Sequence, residues 1–438
     1  MITIIGAGIT GLALARALHT QSTPYTLLEA RPAVGGYIRS QDVEGYRLEY
    51  GPNSVLCDAA TLDFLHQIGL KEAIVPANPV SKDRFIFRGG KYRKLPAGPI
   101  DLLTSGFFSW PTKWAVLSEM RRRSTGPDQE TLSSFFRRRF CQEIVDYPLN
   151  TFVAGIYAGD PEQLLVEETF PVLAQYEREY GSVLKGFIQN KKSGARKISL
   201  TFKEGMQQLP QQLAQGLNIQ TDTAVAWIER KPTSGFWVHL RDGQKLDAEQ
   251  VVLALPAFVA AALIRDAFPD FARSLDKVDY PPMAVIHTAF PKQAIQHDLD
   301  GFGGLHPQKE GLFAAGSIWT SSVFDGRAPE GNALLTTFVG GALYRERALL
   351  PESEIKTQVT QELQRLFGIR TTPVFQHFTR WEKAIPQYNR DILPVYAAAK
   401  AAEQHGLWVA ANWKGGISIA DAIHKAPALA RAIGDYAS

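Results

Sequence analysis

Apolar positions along this chain follow two periods, and the switches between them mark its elements. Ile2-Thr3-Ile4-Ile5 is a short run rich in β-branched residues, which predicts a strand buried on both faces. Leu12–His19, rich in Ala and Leu, predicts a helix, and Tyr25–Leu28 a second buried strand ending at Glu29. Leu62–Leu70 has helical spacing. Phe85-Ile86-Phe87 and Lys91–Leu95 flank Gly89-Gly90, the pattern of a β-hairpin. Phe107, Trp110, Trp114 and Leu117 recur at helical spacing, with Pro111 placed for a first turn. From Ile198 strand-like and helix-like runs alternate again. They include a helix around Leu209–Gly216, the strand Val225–Ile228, a hairpin Gly235–Leu240/Gln244–Leu246 and the apolar strand Val251–Leu255. Residues 280–345 alternate strand-like runs with glycine turns, which predicts a mixed or antiparallel sheet. Glu354–Phe367 reads as a helix, Leu407–Ala411 as a strand, and Ile417–Ala432 as a closing helix with Pro427 a kink site.

The first three elements enclose chemistry. Gly6-Ala7-Gly8-Ile9-Thr10-Gly11 lies between strand and helix, and Glu29 follows about twenty residues on, the spacing of a dinucleotide-binding βαβ unit. Gly6 permits the tight turn, Gly8 lets backbone approach a pyrophosphate, and Gly11 lets helix and strand pack closely. The helix N-terminus offers free N–H groups to phosphates. Glu29 can accept from ribose hydroxyls. The turn alone does not choose between FAD and NAD. Gly35-Gly36 gives a second close approach of backbone, and Arg39 a cation for phosphate.

Composition narrows the class. With 438 residues, 45% hydrophobic and 21% charged, the chain is a multidomain globular protein, and its net charge of +3 gives no support for nucleic acid. Two cysteines, Cys57 and Cys141, exclude a disulfide framework. Nine histidines without metal-ligand spacing predict no metal site. The longest apolar run, Val251–Ile264, contains Pro256 and is too short to span a bilayer. A fold starting at residue 2 leads to the expectation of a cytoplasmic protein. The aromatic residues near 107–117 lie beside Arg121-Arg122-Arg123 and Arg137-Arg138-Arg139. Rings with cations suit a helix lying on a membrane surface. They suit equally a helical core with a solvated basic face.

Nucleotide-like segments therefore stand at the start, middle and end of the chain. Together with Gly35-Gly36 and Arg39 they resemble the FAD-dependent amine-oxidase-type superfamily. Further stretches resemble, within it, the protoporphyrinogen IX oxidases. These are Gly51-Pro52-Asn53-Ser54, Arg84-Phe85-Ile86-Phe87, Leu95-Pro96-Ala97-Gly98 and Ser134–Phe140. Gly155–Pro161, Tyr180-Gly181-Ser182, Ile385-Pro386-Gln387-Tyr388 and Gly415-Gly416-Ile417-Ser418 complete the series. The resemblance spans essentially the whole chain.

That resemblance implies a multidomain α/β fold. A discontinuous Rossmann-like FAD domain would hold 1–78, 196–260 and 381–438, a mixed-sheet substrate domain 79–97 and 261–380, and a helical membrane-associating domain 98–195. It implies oxidation of protoporphyrinogen IX to protoporphyrin IX, with FAD as hydride acceptor and O2 as terminal oxidant giving H2O2. The substrate positions would be Arg84 for a propionate, Phe302, Leu305 and Phe338 around the macrocycle, and Gly159 near the pyrrole N–H groups. The cofactor positions would be Gly6, Gly8, Gly11, Glu29, Gly35, Gly36, Arg39, Gly51, Pro52, Asn53, Val225, Trp381, Asn412, Ile417 and Ser418. Asn412 stands where the superfamily often carries Asp. No cysteine lies in the tail, so the expected FAD is non-covalent. No catalytic side chain is expected, because orientation against the flavin supplies the rate. The expected partners are porphyrinogen, O2 and a membrane surface, with a homodimer left open. Competing readings are coproporphyrinogen III as substrate, a flavin amine oxidase or carotenoid desaturase, and a flavin-free lipid carrier like the Rab GDP-dissociation inhibitors.

Overall fold

In the computed structural model, residues 1–122, 125–190 and 197–436 are described. A parallel five-stranded sheet gathers the three nucleotide-like segments. Its strand order is Ile219–Gln220, Tyr25–Leu28, Ile2–Ile5, Gln250–Leu253 and Leu407–Val409. These strands are buried on both faces, as continuous apolar runs require. The first strand, β1 (Ile2–Ile5), leads through the glycine turn into α1 (Ile9–Thr20) and then β2 (Tyr25–Leu28). Helix α1 packs on the closing helix Ile419–Tyr436, and Leu12, Ala15, Leu18, Ala430 and Ile433 are buried between sheet and helices. The closing helix starts two residues later and ends later than its periodicity predicts, and it carries Pro427 inside.

A three-stranded antiparallel meander, Val225–Arg230, Phe236–Leu240 and Lys245–Ala248, leaves this sheet after Glu29's neighbourhood. A second, seven-stranded sheet is mixed. Its order is Phe375–Trp381, Met283–Pro291, Asn332–Gly340, Gly316–Ile318, Gly303–Leu305, Phe85–Arg88, Lys91–Lys94. Only the pairing of Gly303–Leu305 with Phe85–Arg88 is parallel. Alternation gives this sheet two dry faces. Ala284, Ile286 and Leu335 meet helix Glu352–Phe367, while Met283 and Val285 meet the opposite side with Ala158, Phe338 and Trp381.

The segment between the sheets is helical, with Trp110–Ser118, Leu132–Arg139, Asn150–Tyr157, Pro171–Tyr180 and Val183–Gln189. Pro111 does sit in a first turn. Part of the arginine clusters turns inward, while Arg121 and Arg137 stay exposed. Arg139 is fully buried, its Nε 2.9 Å from Glu119 Oε1. Arg138 bridges Glu130 and Glu177, each at 2.7 Å. Arg137 meets Glu162 at 2.8 Å, and Arg122 donates to the Arg138 carbonyl at 2.8 Å. Arg123 lies outside the described residues. Arg138 and Arg139 are held inward because a buried guanidinium needs carboxylates, and Glu119, Glu130 and Glu177 supply them. Phe107 likewise leaves the stripe, buried with Phe108 and Tyr147.

Candidate active site

The turn after β1 has the geometry its glycines require. Gly6 has φ +104°, and a Cβ there would stand 2.5 Å from the Ala254 carbonyl oxygen. A Cβ on Gly11 would stand 2.0 Å from the Gly6 oxygen. Gly8 differs: its absent Cβ faces open space, with only the Gly36 Cα at 4.0 Å. Gly8 pairs with Gly35 in a parallel bridge, and Gly35 N–H donates to the Ala7 carbonyl at 2.8 Å. The first turn of α1 carries neither a side-chain cap nor an acid, so its N–H groups and positive dipole end remain available. Glu29, buried at the end of β2, accepts from Ala7 N–H at 2.8 Å and from Arg31 N–H at 3.1 Å.

A chain of contacts runs from this cradle to the mixed sheet. Tyr37 follows Gly36, and its carbonyl oxygen would lie 2.1 Å from a Cβ on Gly51. The Tyr37 ring packs on Trp381 at 4.9 Å between centroids, and Trp381 Nε1 donates to the Tyr50 carbonyl at 2.7 Å. Arg39 is exposed, 5.9 Å above the Trp381 ring. Asn53 follows Pro52, and its Oδ1 is buried without a partner. An orphan acceptor, an uncapped helix start and an open glycine cradle each fit a bound dinucleotide.

Four further predicted cofactor residues sit on later segments. Val225 is buried, two residues after Thr223, whose N–H donates to the Glu29 carbonyl at 2.9 Å. The Asn412 carbonyl accepts from Tyr388 Oη at 2.5 Å, and the same hydroxyl accepts from Gly416 N–H at 3.0 Å. Ile417 is half-buried. Ser418 caps the closing helix reciprocally: its Oγ accepts from Asp421 N–H at 3.0 Å, and its N–H donates to Asp421 at 3.1 Å. Ser418 thus orders this helix start, a capping role distinct from the cofactor contact expected of it. Tyr388, which ties the tail turn together, was quoted in a motif but given no role.

The substrate positions meet on the other side of Trp381. Across the mixed sheet Ile86, Leu305, Gly316, Phe338 and Val285 stand opposite one another in register. Opposed residues share a face, so Leu305 and Phe338 flank the bare backbone of Gly316. Their shared face is an apolar strip, packed against Phe107, Phe108 and Tyr147 at Ile86 and Leu305 and against Ala158 and Trp381 at Val285 and Phe338, and we read it as the floor of a trough. Its far end is Arg84, whose guanidinium carbon lies 5.4 Å above the Phe302 ring. Arg84 is exposed and, among the described residues, has no acidic partner. Crowding by neighbouring atoms draws its pKa below the ordinary arginine value, because desolvation disfavours the charge. A carboxylate arriving there would satisfy the cation.

The near end of the trough is Ala158-Gly159, at the end of helix Asn150–Tyr157. Ala158 adopts φ +49°, and Ala342 N–H donates to its carbonyl at 2.7 Å. Gly159 is buried, with Leu164 and Gln387 where a side chain would be. Asp160 accepts from Glu162 N–H at 2.9 Å, closing a turn. Burial raises its carboxyl pKa, and that hydrogen bond opposes the rise. No acid–base pair faces the trough among the described residues.

Similarity to known proteins agrees with this architecture. Residues 9–433 match the family of flavin containing amine oxidoreductases. Mitochondrial protoporphyrinogen oxidase of Nicotiana tabacum is 31% identical, over 96% of this chain and 92% of that protein. Coproporphyrinogen III oxidase of Bacillus subtilis is 26% identical, over 98% and 96%. A crystal structure from Exiguobacterium sp. 255-15, provisionally assigned as a protoporphyrinogen oxidase, shares the fold. Its TM-score is 0.82 at 21% identity, covering 99% of this chain and 98% of that one. The chain belongs to the flavin containing amine oxidoreductase family, stands among its protoporphyrinogen oxidases, and is an FAD-dependent oxidoreductase.

Proposed function

We propose that this enzyme oxidises protoporphyrinogen IX to protoporphyrin IX, with O2 as terminal acceptor giving H2O2. The observation that carries the reading is Arg84 over Phe302 at one end of an apolar trough whose other end reaches Trp381 and the cofactor segments. A flat apolar macrocycle with carboxylate arms has this shape and polarity. FAD, when bound, supplies the two-electron acceptor and the reaction with O2. Gly6, Gly8, Gly11 and the α1 N-terminus would hold its pyrophosphate, Glu29 a ribose, and Gly51-Pro52-Asn53, Val225, Trp381, Asn412 and Ile417 the remainder.

The chain's own contribution is positioning. Arg84 fixes a propionate through a bidentate contact. Phe302, Leu305 and Phe338 hold the ring and exclude water. Hydride loss from a bridging carbon draws on the pyrrole nitrogen lone pairs, so the site's lack of a strong base is consistent with the chemistry. The assay is fluorescence of the porphyrin product from purified, FAD-loaded protein given protoporphyrinogen IX. A second reading takes coproporphyrinogen III instead, favoured by the Bacillus relative. Parallel turnover of the two porphyrinogens separates them.

The three-domain division at 78/79, 97/98, 195/196, 260/261 and 380/381 belongs to the same proposal, although residues 191–196 lie outside the described set. So does contact with a membrane surface. Trp110 and Trp114 are 68% and 69% exposed, Ile100 is 77% exposed, and Lys113 lies 4.6 Å over the Trp110 ring. Leu103 and Leu117 are exposed with them. That arrangement suits rings at an acyl boundary. Among the described residues no helix is long and apolar enough to cross a membrane.

A further inference from the structure

Gln387 is only 3% exposed, yet it lies at the near end of the trough. Its amide is orientated without ambiguity. Nε2 donates to the Tyr157 carbonyl at 2.8 Å and to the Ile385 carbonyl at 3.1 Å. Two backbone acceptors consume both N–H donors, so the other amide atom must be oxygen. The backbone is held as well, since Gln387 N–H donates to the Asp279 carbonyl at 2.9 Å and Asp279 is itself ion-paired with Arg345. Among the described residues Oε1 accepts no hydrogen bond. It lies 2.8 Å from where a Cβ of Gly159 would stand, so it looks over bare backbone. Ile385, two residues before, packs with Ala158, Phe338 and Trp381, which places the segment beside both trough and cofactor side.

A pre-set, unpaired acceptor in an otherwise apolar site selects a donor. The proposed substrate carries such donors. A porphyrinogen is puckered and turns its pyrrole N–H groups out of the mean plane, whereas the product porphyrin keeps its two N–H groups inside a flat ring. We propose that Gln387 Oε1 accepts a hydrogen bond from a pyrrole N–H of the bound porphyrinogen. The contact sets the ring's rotation opposite the Arg84 anchor and favours substrate over product. The assignment rests on the porphyrinogen reading above. A Cβ on Gly159 would crowd Gln387 Oε1 as well as Leu164, so the glycine keeps the amide oxygen uncovered.

The test uses the full-length, FAD-loaded protein with its flavin reduced by dithionite under anaerobic conditions, so that porphyrinogen binds without turnover. Protoporphyrin IX affinity is read from fluorescence quenching, and protoporphyrinogen IX affinity by competition. Gln387→Met keeps length and bulk but removes the acceptor. It should lower the porphyrinogen-to-porphyrin affinity ratio about five- to tenfold, the worth of one hydrogen bond. A purely structural role would weaken both ligands in parallel, so an unchanged ratio in Gln387→Met overturns the assignment. Wild-type protein that neither binds nor oxidises porphyrinogen overturns the underlying reading, and this assignment with it.

Discussion

Replacing Arg84 by Ala tests the trough at its most exposed point. The guanidinium has no acidic partner among the described residues and makes one ring contact, with Phe302 at 5.4 Å. An exposed cation–π contact is worth about 0.5–1 kcal/mol, so the fold should lose no more than that. Binding should lose more. A hydrogen bond to a charged group contributes about 1.5–3 kcal/mol, which converts to roughly 10- to 150-fold in KM for a propionate-bearing substrate. Arg84→Lys keeps the charge but not the planar fork, and should fall between wild type and Ala. The assay is initial porphyrin fluorescence at varied protoporphyrinogen IX, repeated with its dimethyl ester, alongside melting temperatures. In this double comparison the ester should be indifferent to Arg84→Ala, because it offers no carboxylate to lose. An equal KM penalty on acid and ester, or an unchanged KM on the acid, would refute the carboxylate role. A melting temperature depressed by many degrees would instead mark Arg84 as a structural residue.

Other positions give contrasting outcomes. Gly8→Val should leave the apoprotein's melting temperature nearly unchanged, since only Gly36 Cα lies within 4.0 Å of the new Cβ, while FAD absorbance after desalting falls sharply; Gly11→Ala, 2.0 Å from the Gly6 oxygen, should destabilise the fold itself. His287 is buried with both ring nitrogens unpartnered, and burial lowers its pKa to about 3. The unfolded chain therefore binds its proton first, near pH 6.5, so stability is full above that value and declines as pH falls toward 3. By pH 5 the loss is about 2 kcal/mol, and His287→Leu should flatten this part of the melting-temperature profile; an unchanged slope would contradict a neutral buried imidazole. Trp110→Ala with Trp114→Ala should reduce sedimentation with anionic lipid vesicles while leaving turnover in detergent unaltered, and undiminished sedimentation would remove the surface-contact proposal.

The parts legible in sequence were those dictated by local chemistry. The βαβ turn could be read because a doubly buried strand, three glycines with separate duties and a terminal acid stand within thirty residues. The return strands at 250 and 407 were visible as unbroken apolar runs. Strand order in the mixed sheet was not: Phe85–Arg88 pairs with Gly303–Leu305, more than two hundred residues away, and no local pattern encodes that register. The inward turn of Arg138 and Arg139 was hidden for a related reason. Three consecutive arginines look solvated until Glu119, Glu130 and Glu177 are seen to fold around two of them, Arg137 staying exposed. Ser418 carried a capping signature, Ser-x-x-Asp before an apolar run, that cofactor reasoning passed over. Gln387 stood in a recognised motif, but its free oxygen follows only from where its two N–H donors go.

The proposed chemistry of the trough is oxidation of a porphyrinogen against bound FAD. The direct measurement is a side-by-side time course of protoporphyrinogen IX and coproporphyrinogen III with the purified, FAD-loaded protein in air, following porphyrin fluorescence and H2O2 together. Flavin-dependent porphyrin formation with matching H2O2, faster on the dicarboxylate, is the expected result. Fluorescence no faster than the enzyme-free control on both substrates would contradict it.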